Sequence, residues 1–448
     1  MAMSAYDPEG LVSALAPFHD AGRIWIAFSG GLDSTCLLHA AAAMRERLPG
    51  PLRAIHVDHG LHPSSGDWAK HCRTACETLA VALVSRRLRL KVGPGESLEV
   101  VARDARYGAF RALLEPGDLL LTAHNQDDQA ETLLLALIRG SGVQGLAAMP
   151  FAAELGLGRL VRPLLEVPRA ALEHYARARG LTWVDDPGND TLALDRNYLR
   201  YRVLPLIRGR WPAVSATLSR SASHCAEAAA VMDQAAGKIL QGLGGGRPDT
   251  LSIPGLLLLD TPLRKSVLRL WLRRLGFSLP DTAHLKRILN EVLSARPDAA
   301  PLVAWRGCEI RRYRGDLFAL KPLPPVPTGQ ELSWSAKVLE LPGPLGTLNL
   351  AHEQRPETTA QRGLSVRFGV TMQSCRPPGS DHNRPLKKLF QERGVPAWLR
   401  PYVPLVFDGG RLVAVAGVCR CVPQCAGEPV GPDVRWTGHP WEGLGYFC

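Results

Sequence analysis

The segment Ile24–Ala40, "IWIAFSGGLDSTCLLHA", constrains this chain more than any other. An apolar β-type run stops at Ser29-Gly30-Gly31-Leu32-Asp33-Ser34, and an Ala/Leu-rich helical pattern begins at once. Strand, glycine turn and helix in that order form the first half of a β-α-β unit, which commits the region to a parallel sheet. The pattern repeats. Strands are expected over 23–28, 52–57, 81–90 and 118–123, with helices over 34–45, 67–79, 97–114 and 127–139. Such alternation predicts a parallel sheet covered by helices on both faces, with its ligand at the carboxyl ends of the strands.

The remaining chain changes character. Residues 211–295 read as Ala/Leu-rich helix, 302–319 as strands, and "KPLPPVPTGQ" (321–330) as a linker that suits neither a helix nor a central strand. A β-rich tail with one helix over 384–393 follows. These shifts divide the 448 residues into domains at 1–212, 213–325 and 331–448. No apolar segment is long enough for a bilayer span, and "MAMSAYDPEG" has no basic start followed by an apolar run, so a cytoplasmic protein without membrane partners is expected. The ten scattered cysteines then read as mostly reduced thiols. A net charge of +11 favours an anionic partner, with nucleic acid first.

Glycines after a strand let the backbone approach a ligand closely, and the helix that follows offers unpaired N–H groups to phosphate. Ser29 and Ser34 add hydroxyls. The string lacks the lysine of a Walker loop and is not GxGxxG. It resembles the PP-loop of the N-type ATP pyrophosphatases, which cleave ATP to AMP and pyrophosphate. The member is indicated by further strings in order: "HVDHGL" (56–61), "ARDARY" (102–107), "AHNQDDQAET" (123–132), "RGSGVQGLAAM" (139–149), "RPLLEVPR" (162–169), "WVDDPGND" and "RNYLR" (183–200). Together with "RPPGSDHNRPLKKLFQERGVPAWLRPYVPLVFDGGRLVAVAG" (376–417) they resemble the tRNA(Ile)-lysidine synthetases. The likeness covers the first 200 residues and resumes in the tail; the helical middle matches in length and character.

The resemblance implies a PP-loop ATPase domain of the adenine nucleotide α-hydrolase type, then a helical domain and a small α+β domain. It implies ATP-dependent ligation of lysine to C2 of the wobble cytidine in tRNA(Ile) with a CAU anticodon, through an adenylated base. ATP, Mg²⁺, free lysine and that tRNA are the implied cofactors and partners, and a homodimer is left open. A tRNA thiolation enzyme is disfavoured because the chain lacks a C-x-x-C pair, and a non-catalytic tRNA-binding protein because SGGLDS and DDQAET are intact.

Roles follow from chemistry within that reading. Ser29, Gly30, Gly31, Leu32, Asp33 and Ser34 form the phosphate cradle, joined by His56 at the next strand end. Asp33 repels phosphate and therefore holds Mg²⁺ or takes a proton; Asp127 is a second candidate for the metal. Arg106 is expected on ATP phosphate, and His124 and Asp128 in catalysis. Asp128 and Glu131 share a helix face that suits the lysine ammonium, although acids at a helix N-terminus are also favoured by the dipole alone. Many family members carry a second histidine at Asn125, which weakens any role for that position. Arg196 and Arg200, four apart, suit the lysine carboxylate and tRNA phosphate respectively. Asp185, Asp186 and Asn189 read as an ordering turn. In the tail, Arg376, Arg384, Lys387, Lys388, Arg393 and Arg400, with Phe390 and Trp398, read as a tRNA surface. The middle and tail are expected to read the acceptor stem, and the first domain the anticodon loop. "CRCVPQC" (419–425) offers three thiols at C-x-C-x3-C spacing, which matches no standard zinc pattern, so zinc is not expected there.

Overall fold

The computed structural model describes residues 6–60, 62–93, 95, 97–185, 192, 194–296, 299–350, 363–369, 372–423 and 431–446. Asp186, Asn189 and Cys425 lie outside them. The chain forms two compact units, Met1–Val231 and Met232–Cys448.

In the first unit, α1 (Glu9–Leu15) precedes β1 (Ile24–Ala27), α2 (Leu32–Ala43), β2 (Leu52–Asp58), α3 (Ser65–Thr78), β3 (Ala82–Arg87), α4 (Leu98–Leu113) and β4 (Leu119–Leu121). Then come α5 (Gln126–Ile138), the short α6 (Val143–Leu146), β5 (Ala152–Leu155), β6 (Gly158–Val161) and α7 (Arg169–Ala178). The six strands lie in the order β3-β2-β1-β4-β6-β5. All neighbours run parallel except β5, which pairs antiparallel with β6. The four expected strand–helix repeats are present, while the β5–β6 hairpin was not expected: its short strands carry no clear alternation. β1 reads apolar throughout because both faces are covered. Ile24 and Ile26 enter one core with Leu37, Leu38 and Leu172, whereas Trp25 packs on the other face with Phe110, Leu120 and Leu160. Beneath the sheet, Asp118 is buried and accepts both a two-nitrogen grip from Arg23 and a bond from Trp25 Nε1. The unit continues through α8 (Asp195–Tyr198), a π-turn at Leu199–Val203 and α9 (Leu204–Arg210), and the boundary falls inside α10 (Val214–Gln241).

The second unit opens with α10's end, β7 (Leu251–Ser252), α11 (Ile253–Leu257), α12 (Thr261–Arg274) and α13 (Thr282–Arg287). β8 (Leu302–Trp305), β9 (Cys308–Tyr313) and β10 (Asp316–Leu320) make an antiparallel sheet with β7, in the order β7-β10-β9-β8. Helices and sheet share one core, including Leu268, Trp271, Ile288 and Ile310. The tail carries β11 (Glu331–Trp334), β12 (Val338–Glu340), β13 (Thr347–Leu350), β14 (Leu364–Arg367), β15 (Ser374–Cys375), β16 (Arg384–Pro385), α14 (Leu386–Glu392), β17 (Leu405–Asp408), β18 (Arg411–Val415), β19 (Cys419–Arg420) and β20 (Val434–Thr437). They form a five-stranded sheet β11-β14-β17-β18-β19, a three-stranded sheet β12-β13-β20 and the ribbon β15–β16. Cys375 and Cys421 are joined by a disulfide, while Cys36, Cys72, Cys76, Cys225, Cys308 and Cys419 are free, so the described thiols are mostly reduced, as expected. Among the described residues no helix is long and apolar enough to cross a membrane.

Candidate active site

Three strand ends meet at the parallel sheet's carboxyl rim. At the first, Gly30 has φ +86°, and a Cβ there would sit 2.9 Å from Cys72 Sγ, so only glycine fits the turn. The carbonyl of Gly30 accepts from Val184 N at 2.9 Å, which holds the 181–185 segment against the loop. Gly31 caps α2 in an extended conformation, leaving the N–H groups of Leu32, Asp33 and Ser34 without intrahelical acceptors. The Ser29 and Ser34 hydroxyls lie 3.0 Å apart at the same turn. This is a nest of donors of the kind that receives phosphate.

Asp33 opens α2. Its Oδ1 is buried, has no hydrogen-bond partner, and lies 3.8 Å from Arg169 Nε, itself buried and unpartnered. Burial, reinforced by the nearby Asp128 charge, pushes the Asp33 carboxyl up to about 6 against the pull of Arg169 and Arg200. His56, at the end of β2, is buried with Nδ1 3.0 Å from the Phe28 carbonyl.

The third strand end delivers Thr122, His124 and the start of α5. Asn125 is fully buried and caps the helix. Its Oδ1 accepts from the N–H groups of Asp127 and Asp128, and its own N–H donates to Asp128 Oδ2. That reciprocal cap gives Asn125 a structural role at the helix start. Asp128 Oδ2 is used by the cap, while Oδ1 accepts from Arg196 at 3.1 Å and Arg200 at 2.6 Å. Glu131, fully buried, accepts from Arg196 Nε at 2.8 Å and from Arg200 Nε at 2.6 Å. Burial raises the Asp128 carboxyl, but Arg196 and Arg200 outweigh it and hold it below the usual range. His124 Nδ1 lies 2.9 Å from Thr122 Oγ1. Burial, with Arg162, Arg196 and Arg106 near, pushes this imidazole down to about 4 despite Asp128, so it is neutral at pH 7. Arg106 is half-buried and pairs with no carboxylate among the described residues, although it acts on both His124 and His59.

Sequence spacing separated an acidic pair for an amine from a basic pair for anions; the structure brings the four together as one ion network. Asp127 is also drawn elsewhere. Its Oδ1 accepts from Ser215 Oγ at 2.8 Å and from Arg208, and its Oδ2 accepts from Arg169 N at 3.0 Å. Both oxygens tie α5 to α7, α9 and α10, so the metal expectation is carried forward on Asp33 alone. Arg169 and Arg162 were missed as site residues: their strings were noticed, but only the tertiary fold places Arg169 beside Asp33. Among the described residues no cluster of three or more His, Cys, Asp or Glu stands ready for a metal. A divalent cation here would have one carboxylate and otherwise phosphate oxygens and water, a set that suits Mg²⁺.

In the tail, Lys387 and Lys388 are exposed on α14 and Arg393 just beyond it. Arg384 is exposed and pairs with Glu392 at 3.1 Å. Arg376 and Arg400 are half-buried and donate to the carbonyls of Ser380 and Val395. Phe390 lies in the core, and Trp398 packs edge-on against Phe318 and Tyr313 beneath Arg311. Phe390 is turned inward by a helix with apolar positions at 386, 389 and 390, and Trp398, beyond that helix, is held by its ring contacts; both rings serve the fold.

A parallel sheet with a glycine-turn phosphate cradle, a carboxylate at the helix start and arginines close to it defines a PP-loop ATP-binding domain. The PP-loop domain family matches residues 8–207, the TilS substrate binding domain 251–318, and the TilS substrate C-terminal domain 364–430. The chain is 43% identical over 436 residues to tRNA(Ile)-lysidine synthase of Coxiella burnetii, covering 96% of each chain. It is 40% identical over 435 residues to tRNA(Ile)-lysidine synthase of Methylococcus capsulatus, covering 95% of this chain and 99% of the relative. The chain belongs to the tRNA(Ile)-lysidine synthase family.

Proposed function

We propose that this chain ligates L-lysine to C2 of the wobble cytidine of tRNA(Ile) with a CAU anticodon, consuming ATP. The observation that carries the reading is the Asp33 carboxylate, set in the Gly30–Ser34 donor nest with its buried Oδ1 free of hydrogen bonds and 3.8 Å from Arg169 Nε. In the first step the cytidine C2 oxygen attacks the α-phosphorus of ATP and pyrophosphate leaves. In the second the lysine amine attacks C2, and AMP departs with the C2 oxygen. The N–H groups of Leu32–Ser34 and the Ser29 and Ser34 hydroxyls receive the pyrophosphate portion. Mg²⁺, when bound, neutralises phosphate charge; Asp33 would hold it. Arg106, a guanidinium with no carboxylate partner among the described residues, serves the developing phosphate charge.

Lysine is read at the edge of the ion network. Asp128 meets the ammonium and Arg196, the more exposed arginine, the carboxylate; Glu131, at 1% side-chain exposure, positions both arginines. His124, held neutral and with Nδ1 on Thr122, borders the reacting groups. The cations Arg376, Arg384, Lys387, Lys388, Arg393 and Arg400 bind tRNA backbone, and Arg200 is assigned to tRNA phosphate on the first unit. A cytoplasmic location belongs to this reading, and sedimentation of the purified chain tests the homodimer.

The deciding assay supplies ATP, Mg²⁺, labelled lysine and unmodified tRNA(Ile) carrying CAU. Label should enter the tRNA, and should vanish with Asp33→Ala or with the wobble cytidine changed to uridine. AMP production with no label transferred from lysine would overturn the assignment.

A further inference from the structure

The C-terminal cysteines were dismissed as a metal site for lack of thiols and of a standard spacing. The fold supplies a further sulfur from a distant strand. Cys375, on the ribbon β15–β16, reaches the corner where β19 ends: its Cα is 5.5 Å from that of Cys421, and its Sγ is 3.8 Å from Cys419 Sγ. Tetrahedral zinc with Zn–S bonds of about 2.3 Å has sulfur–sulfur edges of about 3.8 Å. The Cys375–Cys419 separation is therefore already that of two thiolates on one ion. The frame is set by backbone bonds that do not depend on the sulfurs: Cys421 N donates to Val413 O at 2.8 Å, and Val422 N to Arg376 O at 2.7 Å. Cys375 and Cys421 are buried and Cys419 is half-buried, a setting that keeps water from competing for the ion. With the bridge closed, two of the three sulfurs are spent, and no cluster of three or more ligand groups stands among the described residues.

We propose that, once the Cys375–Cys421 bridge is reduced, Cys375, Cys419 and Cys421 form a site for a soft divalent cation of the zinc class. Two thiols of a dithiol reductant deliver two electrons and two protons to the bridge, which opens to two cysteines as the reductant closes its own disulfide. The cation then displaces the three thiol protons to water and forms three metal–sulfur bonds, leaving one position of the tetrahedron for a further donor. Bridge and ion are alternative clamps that fasten the ribbon to the β19 corner.

The test uses the full chain, reduced with a phosphine and dialysed without oxygen, then titrated with Co²⁺ followed by Zn²⁺. Reduced protein should take up one equivalent with thiolate-to-cobalt charge-transfer absorption and the intense d–d bands of tetrahedral Co²⁺, and Zn²⁺ should abolish both. Cys419→Ser, which leaves the bridge intact, should weaken binding at least tenfold or remove the bands; Cys419→Ala repeats the test should the serine variant melt early. Cys225→Ser, on α10, should bind as the parent does, and unreduced protein should show no bands. Reduced parent without charge-transfer absorption, or Cys419→Ser and Cys419→Ala both folded and indistinguishable from the parent, would overturn the proposal.

Discussion

The α5 network of the first unit and the α14 surface of the second use charge in opposite ways. Around α5 the ionic side chains are taken out of water: Glu131 is 1% exposed and Asp128 11%, and each is gripped by two arginines. On α14 Lys387 and Lys388 are exposed, and Arg384, just before it, is 46% exposed. Buried ions are costly unless every partner is present, and in return they hold one geometry. Exposed cations cost nothing to fold and contribute to binding any polyanion, with weak directionality. The first arrangement suits chemistry on a fixed substrate, the second suits docking of a nucleic acid backbone.

The comparison breaks most sharply at Asp33. Asp33→Ala should lower lysine incorporation by about 10³-fold or more, a loss on the scale of removing a preorganised charge from an active site. Single-turnover transfer of label reads it, and a variant within tenfold of the parent would remove Asp33 from the chemistry. Glu131→Gln comes next, since it leaves Arg196 and Arg200 short of a buried counter-charge. We expect unfolding stability to fall by about 3 kcal/mol in urea titration; a loss under about 0.5 kcal/mol would mean that the network does not fix this geometry.

Asp118 extends the contrast to pH. Burial raises its carboxyl, but Arg23, Trp25 and the Glu115 N–H together hold it below the usual range. A carboxylate with a depressed folded pKa contributes stability that is present above the unfolded value near 4 and is lost as pH falls through the folded pKa. Asp118→Asn should therefore be less stable than the parent by about 2 kcal/mol at pH 7, with the gap closing below about pH 4. A gap that stayed constant across that range would remove the ionic origin of the effect.

The smallest effects belong to the tail. Lys387→Ala with Lys388→Ala should weaken tRNA binding several-fold and reduce the salt dependence of log Kd by about 1 per lysine. Turnover at saturating tRNA should be unchanged, because exposed cations act on encounter and affinity. A fall in kcat with an unaltered salt slope would place these lysines in the chemistry and erase the contrast.

The strand–helix repeat, the phosphate turn and the order of motifs along the first 200 residues were legible because each is a local matter. Gly30 must adopt a positive φ wherever such a turn occurs, and β1 must be apolar on both faces of a covered sheet. Spacing also placed Asp128 with Glu131 and Arg196 with Arg200, since residues three or four apart share a helix face. It could not say that the two faces meet each other. That needed the chain between residues 131 and 196 to return, which the β5–β6 hairpin and α7 accomplish. The same limit hid Arg169 beside Asp33, turned Phe390 from a surface ring into core, and left Cys375 unconnected with Cys419 and Cys421. By itself the sequence determined the fold class and the family. Tertiary structure decided which charges neutralise one another and which are left for a ligand, because burial and pairing across distant segments, and not spacing, set the free energy of a charge.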